Sequence, residues 1–158
     1  LSFGGHAAAA GVSLRKELLP AFKEAFSEVV SRYISSADLQ PVLTIDARVS
    51  LEQVRTNFLR ELRYLEPFGA GNSQPLFYVP NILQLEPPAI VKDEHLKCTF
   101  ADEGYKRSMI FFGCAEWYEQ VLAWYEQQSP CNVVAYVSEN EWRGNTYPSW
   151  QGLDITTQ

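Results

Sequence analysis

The chain has 158 residues, 46% hydrophobic and 20% charged, a make-up that suits one globular domain or two small ones with a buried core. No apolar run approaches the roughly 20 residues of a membrane helix, and a net charge of −6 argues against indiscriminate DNA binding. That charge is uneven: residues 1–91 carry 8 basic and 9 acidic groups, residues 92–112 carry 4 and 4, and residues 113–158 carry 1 and 6. Any phosphate-binding surface must therefore be local.

In chain order, Leu1-Ser2-Phe3 lead straight into Gly4, an opening in mid-motif expected of a piece of a longer chain. Gly4-Gly5-His6, four alanines and Gly11 predict a tight turn into a helical turn that Gly11 ends. Leu18, Phe22, Phe26, Val29 and Tyr33 repeat at helical spacing and predict a helix over 19–35, with Pro20 in its first turn. Residues 41–49 read as a strand. Ser50 and Gln53 form a capping box that opens a second helix, with Leu51, Val54, Phe58, Leu62 and Leu65 as its apolar stripe. Residues 66–75 hold two glycines and two prolines and read as a connector.

Beyond it, strands are predicted over 76–85, 89–100, 106–114, 131–140 and 146–155. Glu86-Pro87-Pro88 is expected to separate the first two; hairpin turns fall at Asp102-Glu103-Gly104 and Arg143-Gly144-Asn145. A helix carrying Trp117, Val121, Leu122, Trp124 and Tyr125 ends before Pro130. Five strands with one helix between the third and fourth is the element order of an OB-fold, so the fold class is α+β with a five-stranded barrel. Its ligand face would be strands two and three with the one–two and four–five loops.

Three surfaces could carry chemistry. The Gly-Gly-His turn lets a backbone approach a phosphate, and an imidazole can donate to it; such a turn also serves as plain structure. Lys92, Lys97, Lys106 and Arg107 fall on or beside the predicted ligand strands, and Trp142, Arg143, Tyr147 and Trp150 lie around the four–five loop. Cations track a nucleic-acid backbone while aromatic rings stack on bases; the other reading makes the lysines a solvated face and the rings core. Arg48, Arg55, Arg60 and Arg63 lie on or near the second helix and read as its exposed face, unless a groove between the two halves recruits one or two of them for phosphates. His6 and His95 are the only histidines, and no metal-ligand spacing is present, so no catalytic or metal-binding residue is assigned. His95, beside Glu94, reads as a surface residue. Cys98, Cys114 and Cys131 lack knuckle or redox spacing and read as buried reduced thiols of a cytoplasmic protein.

Gly4-Gly5-His6-Ala7-Ala8-Ala9-Ala10-Gly11 resembles the Gly-Gly-His motif of the DHHA1 domain in DHH-type phosphoesterases. Leu65 through Asn72, continuing to Pro75-Leu76-Phe77, resembles the connector of the RecJ family of single-strand-specific exonucleases. Residues 92–100 and 140–144 are similar to that family's OB domain. The resemblance covers essentially the whole chain in order; Ser73 departs from the proline usual in the connector. It implies a DHHA1 remnant over 1–65, a connector over 66–76 and an OB domain over 77–158. It also implies 5′→3′ degradation of single-stranded DNA in repair and recombination, with a manganese or magnesium centre in a DHH domain outside this chain. Gly4, Gly5 and His6 would then hold substrate phosphate. This chain alone is expected to bind single-stranded DNA as a monomer without cofactor and without cutting, and possible partners include other DNA-repair proteins. The alternative is an acidic OB-fold that docks a basic protein.

Overall fold

The computed structural model describes residues 2–35, 37–142 and 144–157. It divides into two compact units, Leu1–Leu43 and Thr44–Gln158.

In the first unit, β1 (Ser2–His6) and β2 (Ala9–Ser13) form an antiparallel hairpin that turns at Ala7-Ala8. The expected helical turn is therefore absent. Four alanines are too few to offset the cost of nucleating a helix, whereas small residues let two strands approach closely. A Cβ built on Gly5 would lie 2.7 Å from the Cβ of Ala10 opposite it. Gly11 pairs with Gly4 instead of ending a helix. A 3₁₀ turn at Lys16–Leu18 leads into α1 (Leu19–Ser31), with Pro20 in its first turn as expected. The helix stops short of residue 35 because local polar groups compete for its backbone. The Ser31 hydroxyl donates to the Glu28 carbonyl at 2.8 Å, and the Ser35 N–H donates to the Asp38 carboxylate at 2.8 Å.

The second unit opens with β3 (Ala47–Arg48), far shorter than the strand expected over 41–49, which pairs parallel with Phe77 and Tyr78. The Ser50–Gln53 box forms as expected. The Ser50 N–H donates to Gln53 Oε1 at 2.8 Å and the Gln53 N–H to Ser50 Oγ at 3.3 Å. It closes only a single turn, however. Arg55 is extended (φ −116°, ψ 179°), and α2 (Thr56–Leu62) begins after it. This break lets Leu51 and Val54 both enter the core ahead of Leu59. Leu65, expected on the buried stripe, is exposed. In the connector the Asn72 side-chain amide donates to the carbonyls of Leu65 (2.7 Å) and Pro67 (2.9 Å), tying the loop to the end of the preceding 3₁₀ turn.

The barrel strands are β4 (Leu76–Val91), β5 (His95–Asp102) and β6 (Tyr105–Phe111), then α3 (Tyr118–Glu126), then β7 (Cys131–Trp142) and β8 (Asn145–Thr157). Their order is β4-β5-β6-β8-β7, and β7 pairs back onto β4 to close the barrel. The β6–β8 pairing is parallel and the others are antiparallel. This is the OB arrangement, with α3 between the third and fourth barrel strands as expected. Leu96, Cys98, Phe100, Met109, Phe111, Val133, Val137 and Trp150 fill the interior. Gln84 reaches from β4 to donate to the Val121 carbonyl at 3.0 Å, which fastens α3 to the barrel.

Two boundaries differ from expectation. Glu86-Pro87-Pro88 does not separate strands. β4 runs through it with register shifts between Gln84 and Glu86 and between Glu86 and Ala89. Proline removes a ladder donor, and at a bulge that donor is not required. The reversal instead uses Lys92 and Asp93, both in the left-handed region (φ 53° and 61°). The division expected at 66–76 also lies inside a single unit. Val49, Leu51, Val54 and Leu59 are buried in the same cluster as the barrel residues, so the segment from Thr44 belongs with the barrel.

Candidate nucleic-acid interface

Strand alternation sorts the predicted cations. On one face of the β5–β6 ladder, Lys97, Thr99 and Ala101 lie opposite Ile110, Ser108 and Lys106. The Thr99 and Ser108 hydroxyls meet at 3.1 Å. On the other face Leu96, Cys98 and Phe100 lie opposite Phe111, Met109 and Arg107, which is the core side. Lys97 and Lys106 thus share the outer face, and Arg107 leaves it.

The two lysines are not equivalent. Lys106 pairs with Glu86 of β4. Its hydrogen bond and its charge hold the Glu86 carboxyl below the usual carboxylate value, with smaller contributions from a hydrogen bond to Thr99 and from the charge of Lys97. Lys97 is exposed and makes no ion pair among the described residues. Lys92 is exposed in the β4–β5 turn.

Arg107 sits at the end of the interior row. It donates to the carbonyls of Lys106 (2.8 Å) and Val54 (3.4 Å), while its Nε is buried without a partner among the described residues. Arg55, Thr56, Tyr105, Arg107, Thr146 and Tyr147 line one groove there. The Arg55 guanidinium lies 5.0 Å over the Tyr105 ring, donates to the Tyr105 hydroxyl and pairs with Glu52 at 2.5 Å. The sequence marks Arg55 as an exposed helix residue or one of several arginines a groove could recruit, and gives Tyr105 no role. Only the register that brings Tyr105 beneath the extended residue 55 reveals the pair.

Gly4, Gly5 and His6 occupy the exposed strand β1. The Ala8 N–H donates to His6 Nδ1 at 3.2 Å, so a neutral ring carries its proton on Nε2, the donor a phosphate oxygen needs. Trp142 is the last residue of β7, and Arg143 lies outside the described residues; neither side chain is described. Trp150 is core. Arg63 pairs with Glu139 of β7. His95 is mostly covered, contrary to its surface reading. Its Nδ1 accepts from the Gly113 N–H at 3.3 Å and its ring packs edge-on against Phe112, with centroids 4.9 Å apart. It ties the start of β5 to the chain leaving β6.

Among the described residues no three His, Cys, Asp or Glu side chains come together as a metal site, so the residues here do not fit a manganese or magnesium centre. Cys98 and Cys131 are buried free thiols as expected, and Cys114 is partly exposed. No helix among the described residues is long and apolar enough to cross a membrane.

Over 164 aligned residues the chain is 27% identical to the single-stranded-DNA-specific exonuclease RecJ of Bacillus subtilis, covering 97% of this chain and 20% of that protein. The Escherichia coli protein of the same name is 32% identical over 97 residues, 61% of this chain and 16% of that protein. The crystal structure of RecJ with Mn2+ from Thermus thermophilus superposes with a TM-score of 0.70 at 25% identity, over 100% of this chain and 22% of that one. The chain therefore spans about a fifth of the length of these relatives. Residues 45–154 match the family described as the RecJ OB domain, coinciding with the compact unit that closes into the barrel, and the chain belongs to that family.

Proposed function

We propose that this chain is the substrate-gripping part of a RecJ-type 5′→3′ exonuclease: it binds single-stranded DNA and does not cut it. The observation that carries this reading is the outer β5–β6 face of a closed OB barrel, where exposed Lys97 makes no ion pair among the described residues and neighbours exposed Ser108, whose hydroxyl meets that of buried Thr99. An OB barrel uses this face for oligonucleotides, and the matched relatives are named for single-stranded-DNA-specific nuclease action. Lys92 extends the face along the β4–β5 turn. The first compact unit, residues 1–43, is read as the remnant of a DHHA1 domain, with Gly4, Gly5 and His6 as a second phosphate contact. The setting is DNA repair and recombination in the cytoplasm, and the chain acts as a monomer alongside other repair proteins.

The test is anisotropy of a 5′-labelled oligonucleotide titrated with the whole chain at low and moderate salt, followed by incubation with Mn2+. Binding that weakens with salt and leaves the strand intact is expected. Cleavage by the pure chain would contradict the second half. Absence of binding at both salts would instead support the acidic barrel as a dock for a basic protein, in line with the acidic excess over residues 113–158.

A further inference from the structure

We propose that the groove between α2 and the starts of β6 and β8 takes one nucleotide of single-stranded nucleic acid, with its phosphate on Arg55 and Arg107 and its base on Tyr147. This assignment rests on the substrate reading above and places a contact off the outer β5–β6 face.

Charge is the first argument. Arg107 is held by two neutral carbonyls, and no carboxylate pairs with it among the described residues. Two guanidinia line the groove, and Glu52 answers only Arg55. In a chain of net −6, this is a local cationic site with one charge uncompensated. Both arginines are held in place before any ligand arrives: Arg55 by the Tyr105 ring and Glu52, Arg107 by backbone carbonyls. Planar guanidinium forks suit phosphate oxygens, and pre-orientation lowers the entropy lost on binding.

The second argument is the exposed ring. Tyr147 is 51% exposed on β8, on the face that strand alternation turns away from buried Trp150. Tyr147 lines the same groove as the arginines, flanked by Thr146 and Pro148. An exposed aromatic face beside a cation is the arrangement that stacks a base while its phosphate is neutralised. Thr56 and Thr146 line the same groove, and threonine hydroxyls suit sugar or phosphate oxygens. An acidic peptide would satisfy the arginines but would leave the ring without a stacking partner.

The test uses the full chain and a short fluorescein-labelled oligothymidylate. Tyr147→Ala should weaken binding about tenfold, whereas Tyr147→Phe should stay near the parent affinity. An abasic strand should bind more weakly and be insensitive to Tyr147→Ala. Arg107→Gln should lower the slope of log affinity against log salt by about 0.7, and Arg107→Lys should keep it. If the parent chain binds and these variants match it in affinity and slope, the groove assignment is overturned while the substrate reading stands. If the parent chain does not bind, both fall. Tight binding of poly-L-glutamate that Tyr147→Ala leaves unchanged would make the occupant an acidic peptide and also overturn the assignment.

Discussion

Gly152 of β8 has no room for a side chain. A Cβ there would overlap the ring of Phe111, which is fully buried in the barrel. The strand and the ring meet because the parallel β6–β8 pairing sets Phe111 opposite Gly152. Gly152→Ala should therefore lower stability by about 1–3 kcal/mol through overpacking, read as a fall in the urea midpoint. Gly11→Ala, where a Cβ meets nothing within 4 Å, should change it by less than about 0.5 kcal/mol. A second residue-scale expectation concerns Cys98. Burial, and then the neighbouring Cys131, push its thiol from 9.0 up to about 12. Because the folded value is raised, its contribution is fully present below the unfolded value. It is lost as pH rises from about 9 toward 12, since the unfolded chain ionises first. Urea unfolding at a series of alkaline pH values should show Cys98→Ala losing less stability across that window than the parent, even though its starting stability is lower.

At the scale of elements, the readable parts are those whose signal is local. The 3.6-residue stripe of α1, the Asp102–Gly104 turn with Glu103 and Gly104 at positive φ, and α3 ahead of Pro130 all follow from neighbours in sequence. β4 was not readable in the same way. Pro87 and Pro88 break a strand unless a bulge releases the ladder, and the bulge depends on β5. Nor was the joining of α2 to the barrel, because Leu51 and Val54 report burial but not the surface they are buried against. The candidate site divides along the same line. Period-2 alternation separates Lys106 from Arg107 once β6 is assigned. The Arg55–Tyr105 contact spans distant parts of the chain and needs the fold. The connector between α2 and β4 gives the element-scale prediction. Asn72→Ala removes two side-chain hydrogen bonds that close the loop. It should cost about 1 kcal/mol and speed limited proteolysis within residues 66–75, while far-ultraviolet circular dichroism of the barrel stays unchanged.

For the whole molecule, a chain of net −6 can hold a polyanion only where cations are left unanswered by its own carboxylates. The outer β5–β6 face holds one lysine of each kind. Lys97 makes no ion pair among the described residues, and Lys106 is already answered by Glu86. Counterion release counts only the charge a ligand newly neutralises, at about 0.7 in slope per phosphate for a single strand. Lys97→Ala should therefore reduce the salt slope of oligonucleotide binding by about that amount. Lys106→Ala should reduce it less, since Glu86 is then left to repel the strand but no unpaired cation is lost. Glu86→Gln should do the opposite of both: it frees the Lys106 ammonium, removes a carboxylate from the face, and should tighten binding and steepen the slope. Anisotropy titrations of the three variants across a salt series would test this order. Equal losses for the two lysines, with no gain from Glu86→Gln, would show that the strand does not run along this face.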